Sequence, residues 1–207
     1  DNAYIGTAAF IGAGMGSNSG SGTATVELVL TLGQGARIGA QAFTFGTTTL
    51  KNLDLSGAVE VGERAFSTSF ASYVVQNGQE LVYSYMVLTP QITSLDLSSL
   101  EVLGAYAFAD FRNLTSVTLG DKLTEIGAYA FQNCHSLANV NLNNVSVIGE
   151  GAFQNTALTV LDLSSVDVIG DYAFSFTLVK SADGSTPYFD PTLTKRPIVN
   201  QYREGKV

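Results

Sequence analysis

The chain has 207 residues, 45% of them apolar and 14% charged, with a net charge of −8. That length suits one well-buried core, and so apolar a composition argues against wholesale disorder. No run approaches the roughly 18 uninterrupted apolar residues of a membrane span, an acidic body disfavours nucleic-acid binding, and a single cysteine excludes an internal disulfide or a cysteine-cluster metal site.

The chain opens at Asp1 with no charged-then-apolar leader, and it reads as a mature or excised form whose signal segment, if any, is missing. At Ile5–Phe10 an aliphatic residue is followed by Gly, two variable residues and Ala-Phe. The small-residue stretch after it, with Gly12, Gly14 and Gly16, is expected to be a surface loop. Its glycines superficially suggest a dinucleotide fingerprint. The third comes one position early, however, and the stretch runs into a strand-like segment (Val26 to Leu32), not into a helix that could hold a pyrophosphate.

The aliphatic-Gly-x-x-Ala-Phe pattern then returns at Ile38–Phe43, Val61–Phe66, Leu103–Phe108, Ile126–Phe131, Ile148–Phe153 and Ile169–Phe174. The last four phenylalanines are 23, 22 and 21 positions apart, which marks a repeating coil. Between these anchors lies a second motif, seen at Leu50–Leu55, Ile92–Leu97, Leu114–Leu119, Leu137–Leu142 and Leu158–Leu163. Its alternating end predicts a short strand with one face buried. Stacked, the copies make a parallel sheet with Leu53, Leu95, Val117, Val140 and Leu161 in one inward column, and Leu55, Leu97, Leu119, Leu142 and Leu163 in the next. A second brief extended piece follows, as at Val145–Ile148 and Val166–Ile169. The Gly-x-x-Ala-Phe segment is then expected to form one or two helical turns. Acids after the glycine (Glu63, Glu150, Asp171) suit the positive end of such a helix.

Phe66 and Phe108 are 42 residues apart, about two repeats. Within that interval Asn77-Gly78 separates two β-prone runs holding Tyr73, Tyr83 and Tyr85, which predicts a hairpin elaborating one coil. The tail from Leu178 lacks the repeat and holds Pro187, Pro191 and Pro197. The organisation expected is therefore a repeat domain of about seven coils over 1–178, with a hairpin-like insertion near 67–91. An irregular C-terminal cap or linker is expected over 179–207.

The string Ile-Gly-x-x-Ala-Phe-x-x-Cys-x-x-Leu-x-x-Val-x-Leu, fullest from Ile126 to Leu142, resembles the BspA-type leucine-rich-repeat family. The resemblance covers about Ile5 to Phe174. It implies an α/β solenoid: a right-handed superhelix with a parallel sheet on its concave side, and short strands and short helices outside. It also implies display at the surface of a bacterial or protist cell, with some relatives similar to adhesins that bind host matrix proteins. Cys134 falls at a small core position of that repeat, where the other copies have Gly46, Ser69, Phe111, Thr156 and Thr177.

Catalytic chemistry is not expected. His135 and Cys134 are neighbours in sequence, and adjacent side chains generally diverge; a buried thiol is also inert. The outward residues of the strand face are the candidate interaction surface: Asn52, Asp54, Ser94, Asp96, Ser116, Thr118, Asn139, Asn141 and Asp162. The hairpin tyrosines Tyr73, Tyr83 and Tyr85 are a second candidate surface. Asp54 and Asp96 could be neighbours at a spacing that suits a shared cation or a glycosidase pair, although a hydrated polar face is the plainer reading. No cofactor and no metal site is expected. The function expected is an extracellular module that binds a protein or glycan, monomeric by default, with a structural spacer that binds nothing as the alternative.

Overall fold

The computed structural model describes residues 3–9, 27–43, 49–66, 69–76, 79–87, 90–158, 160–175 and 198–199. The small-residue stretch around Gly12 to Gly16, the Asn77-Gly78 turn and nearly all of the tail from Leu178 lie outside the described residues.

In chain order the early strands are β1 (Tyr4–Ile5), β2 (Glu27–Thr31), β3 (Ala36–Ile38), β4 (Thr49–Asp54) and β5 (Ala58–Val61). Two longer strands follow, β6 (Ser69–Gln76) and β7 (Gln79–Val87), and then β8 (Ser94–Leu97), β9 (Val102–Leu103), β10 (Ser116–Leu119) and β11 (Glu125–Ile126). The last are β12 (Asn139–Val140), β13 (Val147–Ile148), β14 (Val160–Leu161), β15 (Val168–Ile169) and β16 (Ile198–Val199). They build a parallel-strand solenoid of about five turns. One row of strands runs β2-β4, β8-β10-β12 and β14-β16; the other runs β1-β3-β5-β9 and β11-β13-β15. Each coil thus gives one strand to each row. Equivalent residues pair across coils, as in Val117 with Leu95 and Val140, or Ile148 with Ile126 and Ile169. Strands β6 and β7 pair antiparallel from Ser69↔Val87 to Gln76↔Gln79, a hairpin set between β5 and β8.

The core follows the repeat. Leu53, Leu95, Val117 and Leu161 are buried in one column, with Leu55, Leu97, Leu142 and Leu163 in the next; Val140 and Leu119 are partly buried against them. Between the rows runs a stack of phenylalanine rings. Phe43, Phe66, Phe108, Phe131, Phe153 and Phe174 lie face to face in succession, with centroids 5.2–5.8 Å apart and planes within 3–14°. Phe111 meets Phe108 edge-on at 5.5 Å, while Cys134 and Thr156 fill the corresponding buried position in later coils. A fully buried Phe contributes about 1.5–3 kcal/mol by burial, and stacked aromatic pairs add about 0.5–1.5 kcal/mol each.

The glycines that open each turn make this spacing attainable. A Cβ on Gly127 would lie 2.6 Å from the Leu103 carbonyl oxygen, and one on Gly62 would lie 2.8 Å from the Ala40 nitrogen. Neither has a positive φ. It is the absent side chain that matters here, because backbone of the previous coil occupies its place.

The expected helical turns are absent: the described residues contain no helix, and the Gly-x-x-Ala-Phe segments are turns. Their second variable residue is left-handed in every described copy, at φ 51–58° for Ala8, Gln41, Arg64, Tyr106, Tyr129, Gly151 and Tyr172. One such residue interrupts the run of right-handed angles that a helix requires, at about 1–2 kcal/mol for an L-residue. The compensation lies in the neighbouring coil. Tyr106 N–H donates to Ala128 O and Phe108 N–H to Ala130 O, both at 2.9 Å; Tyr129 and Phe131 donate likewise to Glu150 O and Ala152 O. A helix would direct those N–H groups along its own axis instead. Side chains continue the pattern where Asn155 donates to Asn133 (2.7 Å) and Asn133 to Asp110 (3.0 Å). The coils are therefore joined by hydrogen bonds along the two strand rows and along the turns.

Removing one ring from the middle of the stack tests this arrangement. Phe131→Ala is expected to cost roughly 3–5 kcal/mol by chemical denaturation, the range for a buried Phe. A loss below about 1 kcal/mol would contradict it.

Candidate functional site

The strand row holding β8, β10 and β12 carries the candidate surface. Its alternation buries Leu95 and Leu97 and leaves Ser94 and Asp96 exposed on the opposite face. The register aligns Ser94, Ser116 and Asn139 across three coils, and Asp96 with Thr118. Asn141 follows β12 and is exposed, as is Asp162 after β14. Farther along, Thr31 pairs with Asp54, and Asn52 is exposed on β4. A shallow, open depression of about 330 Å³ lies over β10 and β12, lined by Ser116, Val117, Asn139, Val140 and Asn141. Valines stand where β8 and β14 carry leucine in this column, with Val117 buried and Val140 partly buried. Three of the candidate residues, Ser116, Asn139 and Asn141, thus converge on one place.

Asp54 and Asp96 are not brought into one site by pairing. They lie on β4 and β8, which stand side by side but share no hydrogen-bonded ladder among the described residues. Each carboxylate instead serves its own chain. Asp54 Oδ1 accepts from Ser56 N (3.1 Å) and Ser56 Oγ (2.7 Å), and Asp96 Oδ1 accepts from Ser98 N at 2.9 Å. Asn141 and Asp162 do the same with Asn143 N (3.0 Å) and Ser164 N (2.9 Å). These are Asx turns, in which the side chain closes the bend after the strand. The hydrogen bonds hold the Asp54 and Asp162 carboxyls below the ordinary value of 3.8: the Ser56 hydroxyl and then its amide for Asp54, the Ser164 amide and then its hydroxyl for Asp162. Among the described residues no three His, Cys, Asp or Glu side chains gather as a metal site.

Cys134 is fully buried, its Sγ donating to Phe108 O at 3.3 Å, and burial pushes the thiol well above its ordinary range. His135 sits half-buried, its pKa lowered first by burial and then by the nearby Arg112. Tyr73 lies on β6 and Tyr83 and Tyr85 on β7, with Tyr73 opposite Val82 and Tyr85 opposite Ala71; their side chains lie outside the described residues.

Two features of the site escape the sequence reading. The turn-closing duty of the outward acids is one, although the spacing Asx-Leu-Ser or Asx-Leu-Asn at 54–56, 96–98, 141–143 and 162–164 carries the signal. The other is a row of side chains at the left-handed turn position, with Arg64, Tyr106, Tyr129 and Tyr172 on one edge. The sequence shows them two residues after each repeat glycine.

A family model described as BspA type leucine rich repeat region matches residues 80–186 in six copies. No curated protein and no solved structure matches the chain.

The Asx turns make a stability prediction. Asp96→Ala is expected to cost about 0.5–1.5 kcal/mol, the net worth of such a hydrogen bond. Asp96→Asn should stay near the parent, because Asn141 makes the same bond in its own coil. Equal melting of all three proteins would contradict the role.

Proposed function

The chain belongs to the BspA-type leucine-rich-repeat family, and on that footing we propose that it is an extracellular recognition module whose strand face binds a protein or a glycan. The observation that carries the reading is the open depression over β10 and β12, lined by the Ser116 hydroxyl and the Asn139 and Asn141 amides together with Val117 and Val140. Hydroxyls and amides both donate and accept hydrogen bonds, so they suit the mixed polar surface of a glycan or a protein loop. A solenoid adds area, because every coil extends the same face.

In this reading the module is monomeric, works without a cofactor and carries out no reaction. It acts outside the cell, as the surface display implied by its repeats suggests, and an adhesin for host matrix is one form it could take. No helix among the described residues is long and apolar enough to cross a membrane. The turn-closing work of Asp54, Asp96 and Asp162 favours a second reading, a spacer that binds nothing, since it gives those acids a purpose without any partner.

The test is binding of the purified chain to an array of matrix proteins, mucins and glycans, beside a Thr118→Lys/Asn139→Lys variant. Both substituted residues are exposed on the strand face, so circular dichroism should report an intact fold. Saturable binding that the variant loses by about tenfold or more is expected. Binding that the variant retains would remove the strand face as the site, and silence across the array would favour the spacer.

A further inference from the structure

The tripeptide Asn-x-Ser/Thr, the acceptor signal for N-linked glycosylation, occurs at Asn113-Leu114-Thr115 and at Asn144-Val145-Ser146. Neither copy has proline in its middle position. A linked glycan is bulky and needs an open surface, and on that ground the fold separates the two copies.

Asn113 lies in a turn between the buried Phe111 and Leu114, where Leu114 N–H donates to Phe111 O at 3.0 Å. It is half-buried, and its Nδ2 donates at 2.9 Å to the carbonyl of the buried Pro90 on the previous coil. The nitrogen that a sugar would occupy therefore faces backbone at the seam between coils.

Asn144 stands differently. It lies in the turn that carries the chain from β12 to β13, closed by Val145 N–H on Leu142 O at 2.9 Å, and it is exposed. The residues that follow the same strand leucine by two on the flanking coils, Asp121 and Ser165, are short and exposed as well. The Asn144 Nδ2 donates at 2.8 Å to Asp121 Oδ1, a contact at the surface. This corner between the two strand rows has room for a glycan.

We propose that Asn144 is an N-glycosylation site, modified in the secretory pathway of a eukaryotic cell, and that Asn113 is passed over. In the transfer the Asn144 amide nitrogen attacks the anomeric carbon of an oligosaccharide carried on a lipid pyrophosphate. The carbon–nitrogen bond forms as the bond from that carbon to the pyrophosphate oxygen breaks. The lipid pyrophosphate leaves, and one amide proton passes to a base of the transferase. No oxidant or reductant enters. The product keeps one N–H, enough for the Asp121 bond, so the corner closes around a glycosylated Asn144 as it does around a bare one. The assignment rests on the reading of the chain as an extracellular module, because the transferase acts in the secretory lumen.

The test is secretion of the full chain, behind a cleavable signal segment, from a eukaryotic cell. The secreted protein is weighed before and after peptide-N-glycosidase treatment in heavy-oxygen water, which labels each asparagine that carried a sugar. One glycan is expected, with the label at Asn144 and none at Asn113. Asn144→Gln and Ser146→Ala should each abolish it, and the second variant leaves the Asn144 amide in place. A secreted chain without a glycan, or one labelled at Asn113, would overturn the assignment. Neither result bears on binding by the strand face, which the ligand array tests by itself, so the two readings fail separately.

Discussion

Among the described residues, six phenylalanine rings stacked face to face at 5.2–5.8 Å set the geometry to which the coils conform. Rings can stack at that distance only if their coils are nearly in strand-to-strand contact. The short ladders of Leu- and Val-bearing strands, the inter-coil bonds of the turns and the backbone contacts at Gly62 and Gly127 all require the same spacing. The stack also explains how the chain tolerates a long insertion. Phe66 and Phe108 are 42 residues apart in sequence and 5.6 Å apart in space. The hairpin of β6 and β7 leaves the coil and returns without interrupting the core column.

The periodicity exposes most of this architecture before any coordinates. Phe108, Phe131, Phe153 and Phe174 recur at nearly constant spacing, and the paired leucines alternate, so the buried columns and the parallel register can be read directly. The turns are another matter. Gly-x-x-Ala-Phe has helix-compatible residues throughout, and Tyr106 and Tyr129 give no local hint of a left-handed backbone. That conformation is selected by carbonyls such as Ala128 O and Glu150 O on the next coil. A reading confined to one coil at a time has no access to that tertiary choice. Asp110, Asn133 and Asn155, which tolerate positive φ, are the exceptions whose identity matches their angle.

The candidate surface was legible in part for the same reason. Alternation alone places Ser94, Asp96, Ser116, Thr118 and Asn139 outward. It does not reveal that Asp96 closes a turn, nor that Ser116, Asn139 and Asn141 line one depression with Val117 and Val140. Residues holding the coil together and residues available to a partner are thus interleaved on one face. The acids at the strand ends are committed to their own backbone, and Ser116 and Asn139 beside them line the depression. On the turn edge the division differs: Tyr106 and Tyr129 are stacked within the chain, and Tyr172 projects from it.

If contact between neighbouring coils is the unit of stability, two adjacent rings of the stack must depend on each other. A double-mutant cycle on Phe108→Ala and Phe131→Ala, read by chemical denaturation, measures that dependence most directly. A coupling of about 0.5–1.5 kcal/mol is predicted, the worth of an aromatic pair beyond its burial. Losses that simply add, within about 0.3 kcal/mol, would mean that each coil carries its own core and would contradict the account.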